Sequence, residues 1–441
     1  MNHPIINPHP STFCNPINVG YRYQEGYHAR SAADSALVLF RGDYYLFASR
    51  CSGYWWSSDL ADWQFVYIGR EIIPHIEDWA PAACMVDDTL YLTHCGGHLY
   101  RSTDPKEGHW DYVGCPYNWY DPALFVDDDG RVYCYHGCSP VNPLYAMELD
   151  PTHDFALLGE PVPCFQSDPA HRGFEVRGDA HTRYEEGSWL EGAWVLKHEG
   201  RYYLQYSVPG TQFVSYSDGC AVSDSPMGPF VYCENSPFTY KADGFVAGSG
   251  HGSLLCDRHG RFWKCGTAVI AVNTGFERRL TLVPFTFHEE GQMIADLAFS
   301  DYPLYHAGVP GRSFENSRPH WHLVSYGAAA TASSSLEGHS PGLAFDESMR
   351  TWWSAVSGEA GEWLAADLGK LCRVQAIQLN LRIRTWGRPP MTGRRSLATA
   401  TGSRFPKTAR HGRRWRTAAK RRAVRIRQPI RLTTILSCAD R

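Results

Sequence analysis

The chain is expected to be all-β: a five-bladed β-propeller, then a partial β-sandwich and an irregular basic tail. Three observations carry that expectation. A hairpin recurs five times, the punctuation between apolar runs is almost entirely Gly, Pro, Asp and Asn, and helical periodicity is scarce through the first 310 residues. The hairpins are "DSALVLFRGDYYLFAS" from Asp34, "APAACMVDDTLYLTHCG" from Ala80, "DPALFVDDDGRVYCYHG" from Asp121, "EGAWVLKHEGRYYLQYS" from Glu191 and "HGSLLCDRHGRFWKCGT" from His251. Each is a short apolar strand, a turn holding Gly or Asp, and a second strand built on an aromatic residue. Their starts lie 46, 41, 70 and 60 residues apart, a spacing that suits propeller blades. "VSYSDGCAVSDSPMGPFVY" and "GYWWSSDLADWQFV" read as outer strands. A sandwich of repeated hairpins is the rival fold.

Composition narrows the function. Aromatic residues make up 14% of the 441 and charged residues 20%, which fits a globular β-rich protein. The net charge of −4 hides a split. From residue 381 onward there are 16 Arg, 2 Lys and one acid, while the first 380 residues carry 24 basic against 45 acidic groups. An acidic body argues against nucleic acid as the partner of the main domain. The first twenty residues show no basic, apolar or cleavage region of a signal peptide, and no apolar run is long enough to span a membrane, so a cytoplasmic location is expected. The 14 cysteines are scattered, and most are expected to be buried free thiols. Cys134 and Cys138 could be read as metal ligands, but no second pair completes a tetrahedral set, which leaves structural thiols.

In a propeller the innermost strand of every blade starts beside the central channel, on the same side. The five openings therefore converge: Asp34, Ala80, Asp121, Glu191 and His251. Three carboxylates and an imidazole at one funnel are costly, because like charges in a partly dry site repel. Glycosidic cleavage has a use for them. It needs one protonated acid for the leaving oxygen and one ionised base for water, and a third carboxylate keeps the acid protonated. The alternative for any single residue is a turn or strand-end cap. Trp55, Trp79, Trp119 and Arg278 are candidates for holding a sugar. Adjacent strand residues face opposite ways, so only one of Trp55 and Trp56 can line the cleft.

The strings "YDPALFVDDDGRVYCYHGCS", "LEGAWVLKHEGRYYLQYSVPGTQF" and "GSGHGSLLCDRHGRFWK" resemble glycoside hydrolase family 43, over roughly residues 20 to 310. The resemblance implies a five-bladed inverting enzyme releasing arabinofuranosyl, xylosyl or galactosyl residues from oligo- or polysaccharides. It implies Asp34 as general base, Asp121 as pKa modulator and Glu191 as general acid. It also implies that no cofactor is required, with His251 matching a histidine that in many members faces a calcium-centred water cluster. Asp34 is followed by Ser35 where the family usually has proline, which loosens the expected turn and keeps a catalytically impaired, lectin-like propeller as the alternative. Retaining fructosidases share the blades and carboxylates, but their "NDPNG" and "RDP" motifs are absent. Asp34 and Glu191, on blades one and four, are expected to face each other with room for a water, as inversion requires.

Residues 1–312 are thus assigned to the propeller. In 313–380, "AFDESMRTWWSA" and "GEWLAADLGK" resemble the start of a discoidin domain, a β-sandwich often used to bind sugars. Only about 60 residues match, roughly half of such a domain as that family usually shows it. Within 381–441 the strand pattern stops and "RRWRTAAKRRAVRIRQ" begins. A phosphate-binding arm, a disordered linker and translation in a shifted frame all yield such a run. The break inside a strand, and the excess of Arg over Lys expected of a GC-rich gene, favour the frame shift. The oligomeric state is not legible.

Overall fold

A computed structural model describes residues 11–21, 30–69, 79–241, 243–270, 275–288, 290–372, 374, 376–380 and 437–438. Each of the five hairpins is the inner pair of an antiparallel sheet whose outer strands follow directly in sequence. Blade one is Ala36–Phe40, Asp43–Phe47, Gly53–Ser57 and Gln64–Tyr67; blade two is Ala82–Val86, Thr89–Thr93, Leu99–Asp104 and His109–Gly114. Blade three runs Ala123–Val126, Val132–His136 and Leu144–Asp150, with Ala156–Leu157 and Val162–Phe165 both paired to its third strand. Blade four is Glu191–His198, Arg201–Val208, Ser217–Ser223 and Val231–Tyr232; blade five is Gly250–Cys256, Phe262–Val269, Arg278–Phe287 and Met293–Ala295. The expected five-bladed all-β architecture is what these residues build.

The turns follow from local chemistry. Arg41-Gly42 and Glu199-Gly200 are two-residue loops with both residues at positive φ, the geometry whose twist matches paired strands. Glycine takes the second place in each because a side chain there is strained.

The inner strand of every blade packs beside that of the next, and the fifth beside the first, so the ring is closed. Apolar faces fill the spaces between blades: Leu99, Trp119, Val132 and Cys134 between two and three, and Tyr133, Leu204 and Tyr206 between three and four. Leu37, Tyr44, Trp55, Trp263 and Leu280 join five to one. Each such burial contributes on the order of 1.5–3 kcal/mol. The chain also clasps the last blade before entering the first. Asn15 exchanges hydrogen bonds with the backbone of Leu282 (2.8 and 3.0 Å), and Ile17 N donates to Leu280 O.

This compact unit spans Phe13–Ser317. In the separate unit from Arg318 onward, Ala329–Ala332 pairs with Leu364–Asp367 over a small cluster of Ala344, Phe345, Trp353 and Ala355. His322–Leu323 pairs with Ser437–Cys438. Apart from those two residues, the tail assigned to 381–441 lies outside the described residues. Among the described residues no helix is long and apolar enough to cross a membrane, and the thirteen cysteines whose side chains are described are all free, six of them buried.

One polar tie sits wholly inside the ring. Lys264 Nζ lies 2.9 Å from Asp218 Oδ2, both side chains fully buried, and also donates to Cys265 O. Asp218 Oδ1 accepts from Ser207 Oγ (2.6 Å) and from His251 N (3.0 Å), so the pair underpins the opening of blade five. Replacing Lys264 by Met strands a buried carboxylate. The expected loss is about 3–5 kcal/mol, read as a lower urea midpoint at unchanged slope. A loss below about 1 kcal/mol would mean that hydroxyl and amide donors alone suffice for Asp218.

Candidate active site

The five openings are built alike. Asp34, Ala80, Asp121 and His251 adopt left-handed backbone angles (φ 52°, 47°, 47° and 38°), and in blade four Gly192 does so directly after Glu191. For an L-residue that conformation costs on the order of 1–2 kcal/mol, so something must hold it. The holder recurs. In blades one to four the residue six places after the start of the second strand is Ser49, Cys95, Cys138 and Ser207, and Thr267 stands at the equivalent place in blade five. Ser49 Oγ accepts from Ala80 N (2.8 Å), Cys95 Sγ from Asp121 N (3.2 Å), Ser207 Oγ from His251 N (2.8 Å) and Thr267 Oγ1 from Asp34 N (3.0 Å). Cys138 instead reaches the side chain of Glu191, its Sγ 3.4 Å from Oε2. Each blade thereby fixes the opening of the next.

The carboxylates meet as a result. Asp34, Asp121, Glu191 and His251 are all buried, and ligand atoms of Asp121, Glu191 and His251 lie within 4.8 Å of one another. His251 Nδ1 stands 3.3 Å from Asp34 Oδ1 and 3.9 Å from Asp121 Oδ2. Asp34 takes Arg278 Nη1 on Oδ1 (3.0 Å) and Ser49 Oγ on Oδ2 (2.5 Å). Burial, and then the charge of Asp34, raise the Asp121 carboxyl above its ordinary range, with His251 opposing. Glu191 accepts from Tyr216 Oη on Oε1 (2.5 Å). Burial and the neighbouring Asp121 push its carboxyl up to about 7, against the opposing pull of His251 and Tyr216. Near neutral pH a large share of Glu191 therefore keeps a proton to give, in a funnel where Asp34 is paired with Arg278.

Several sugar-holding expectations need correction. Trp55 and Trp119 are 1% and 0% exposed and belong to the packing between blades. Trp55 lies on the third strand of its blade, and only the ends of inner strands converge on the funnel. Trp119 points under its blade, its Nε1 3.3 Å from Thr93 Oγ1. Arg278, 3% exposed, spends its guanidinium on Asp34 and on Ser31 O. Trp79 is half-buried at the mouth, its ring 5.4 Å from that of Phe276 and 5.6 Å from the Arg278 guanidinium. Cys138, read from the sequence as structural, touches Glu191 and accepts from Trp189 Nε1 (3.3 Å). Cys95, Tyr216 and Ser49 escaped sequence reasoning altogether. The one signal that could have found the thiols and Ser49 is the fixed offset from the start of the second strand.

A calcium ion is a poor match for the described donors. Calcium takes six to eight oxygen ligands. Here an imidazole nitrogen and two sulfurs stand among the carboxylates, and Asp34 is already occupied by Arg278.

Residues 28–293 match the family described as glycosyl hydrolases family 43. Among curated proteins, the xylosidase/arabinosidase 43A of Humicola insolens is 34% identical over 204 residues, 38% of this chain and 61% of that protein. The beta-xylosidase of Xylanibacter ruminicola is 29% identical over 157 residues, 31% of this chain and 44% of that protein. The chain thus spans less than two thirds of the length of these relatives. The crystal structure of a thermostable family-43 glycoside hydrolase superposes with a TM-score of 0.52 at 22% identity, covering 65% of this chain and 96% of that one. The family match extends over more than half of the chain and takes in all five blade openings, so the chain belongs to glycosyl hydrolases family 43.

Proposed function

We propose that this chain hydrolyses glycosidic bonds with inversion, releasing xylosyl or arabinofuranosyl residues from oligo- or polysaccharides. The observation that carries the reading is the buried Glu191 carboxyl, pushed up to about 7 beside Asp121 in a funnel that also holds the Arg278-paired Asp34. Glu191 gives its proton to the leaving oxygen. Asp34 takes a proton from the water that attacks the opposite face of the anomeric carbon. Asp121 keeps Glu191 protonated, and Tyr216 orients it. Serine in place of the usual proline after Asp34 does not leave the base loose, because Thr267, Ser49 and Arg278 all hold it. That favours an enzyme over a lectin-like relative. The names of the curated relatives, xylosidase and arabinosidase, support the choice of sugar. We further propose that residues 313–380 are a partial discoidin-like module offering a second sugar-binding surface.

Glu191→Gln tests the acid. The expected loss is roughly 10² to 10⁴ in rate on substrates with poor leaving groups, and much less on activated aryl glycosides. Equal, small losses on both would remove Glu191 from the mechanism. For the wild type, kcat/KM is expected to fall as pH rises through about 7, where Glu191 loses its proton.

The same variant carries a stability signature. Glu191 binds its proton more tightly folded than unfolded, so its contribution is intact below the ordinary glutamate range and is lost as pH rises through about 7. Glu191→Gln should therefore be the more stable protein at pH 8, on the order of 2 kcal/mol, with the gap closing toward pH 4. Melting curves at the two pH values read this directly, and no gap at pH 8 would mean that Glu191 is not strained by burial.

Stereochemistry tests the base. Proton NMR of the first-formed sugar, taken before mutarotation, should show inverted anomeric configuration. Retention would make one carboxylate a nucleophile and end the role given to Asp34.

A further inference from the structure

Two thiols meet away from the funnel, at the outer edge of blade four. The edge strand Val231–Tyr232 pairs with Ser217–Ser223 so that Val231 faces Val222 and Tyr232 faces Ala221. One step further along that register Cys233 faces Cys220. Cys233 N donates to Cys220 O (2.9 Å), and the two thiols are hydrogen-bonded to each other. The backbone around them is pinned, because Ser236 Oγ accepts from Cys220 N (2.9 Å) and donates to Cys220 O (3.2 Å). Residues opposed at a hydrogen-bonded position of an antiparallel pair have Cα atoms about 5.5 Å apart, which is the usual span of a disulfide. The two cysteines differ in access. Cys220 is fully buried in the apolar cluster under the strand, whereas Cys233 is partly exposed. Burial pushes the Cys220 thiol up, while the hydrogen bond from Cys220, and then the Arg201 guanidinium, hold Cys233 below the usual thiol range.

We propose that Cys233 and Cys220 are a disulfide-forming dithiol, oxidised by a small disulfide such as oxidised glutathione, which staples the edge strand of blade four to the strand that carries Asp218. The Cys233 thiolate attacks one sulfur of the small disulfide, forming a mixed disulfide and releasing one thiolate. Cys220 gives its thiol proton to solvent, attacks Cys233 Sγ and expels the second half of the reagent. Two protein thiols are thereby oxidised and one small disulfide is reduced to two thiols. The reaction uses no group of the funnel, so it stands or falls independently of the hydrolase reading.

The full chain is treated with oxidised glutathione and digested with trypsin. No Lys or Arg lies between Tyr202 and Tyr240, so both cysteines, and no others, leave on the single peptide 202–241. After oxidation that peptide is expected to be lighter by two hydrogen atoms and free of glutathione, and dithiothreitol should restore its mass. The melting temperature of the oxidised chain should rise by roughly 2–6 °C. Cys220→Ala should stop at the intermediate, with glutathione held on Cys233. Cys233→Ser should leave Cys220 unmodified and the melting temperature unmoved by the same treatment. Circular dichroism equal to wild type verifies the fold, and the partly exposed Cys233 keeps the test open should the buried Cys220→Ala fail to fold. A wild-type peptide that stays reduced while the exposed Cys115 and Cys256 take up glutathione overturns the proposal. So does a wild type that keeps glutathione on Cys233 beside a free Cys220, or a disulfide that forms and lowers the melting temperature.

Discussion

One contact, repeated around the ring, holds both fold and site together: a short polar side chain near or just past the end of the second strand of each blade that grips the opening of the next. Ser49, Cys95, Ser207 and Thr267 receive the opening backbone N–H groups, and Cys138 takes the opening side chain. Thr267 of blade five holds Asp34 of blade one, so the series has no end. Among the described residues no strand is exchanged between the last blade and the first. Closure rests on this tie, on the Asn15–Leu282 clasp and on the Arg278–Asp34 pair, whose partners are 244 residues apart in sequence. The same bonds that close the ring therefore set the direction of the carboxylates.

That arrangement explains where the strain goes. Left-handed openings turn side chains into the funnel at on the order of 1–2 kcal/mol each, and burying carboxylates together costs more. A fold of this size has room to absorb it. The surrounding faces are dense with large apolar residues between neighbouring blades, and the Lys264–Asp218 pair supports His251 from below. Within the inner strands, strain sits at the ends that open on the funnel while the middles are regularly paired.

Much of this was legible because a propeller writes its repeat into the chain. The hairpin spacing gave five blades, and the opening position gave Asp34, Asp121, Glu191 and His251 as neighbours in space. Alternation along a strand says which way a side chain faces but not how far its strand lies from the axis. Trp55 was misread for that reason: its strand is third in the blade. Trp119 shows the same limit, since lying two residues before an opening does not bring a ring to the surface. Arg278 reads in the sequence as a sugar ligand, because its partner Asp34, 244 residues away, is brought to it only by closure of the ring. The thiols were hidden by their chemistry. Cysteine is so often inert packing that "THC" and "HGC" looked unremarkable beside "FAS", "QYS" and "CGT", although all five share one place in the repeat.

Division of labour follows from the register. The opening residues are fixed by the ring and have little freedom to vary in position, so they suit chemistry that is the same for every sugar. The residues just ahead of the openings are held mainly through their backbone, Trp79 O accepting from Cys95 N and Tyr120 O from Gly137 N. Trp79 and Tyr120 precede Ala80 and Asp121, Trp189 stands two places before Glu191, and none of the three is fully buried. Trp79 meets Phe276 beside the Arg278 guanidinium that pairs with Asp34, giving that side of the funnel an aromatic wall. A flat apolar face beside fixed carboxylates is what the C–H edge of a furanose or pyranose needs. Under the proposed reading, selectivity among sugars can change through these positions while the acid and base proposed for Glu191 and Asp34 stay where the blade-to-blade bonds hold them.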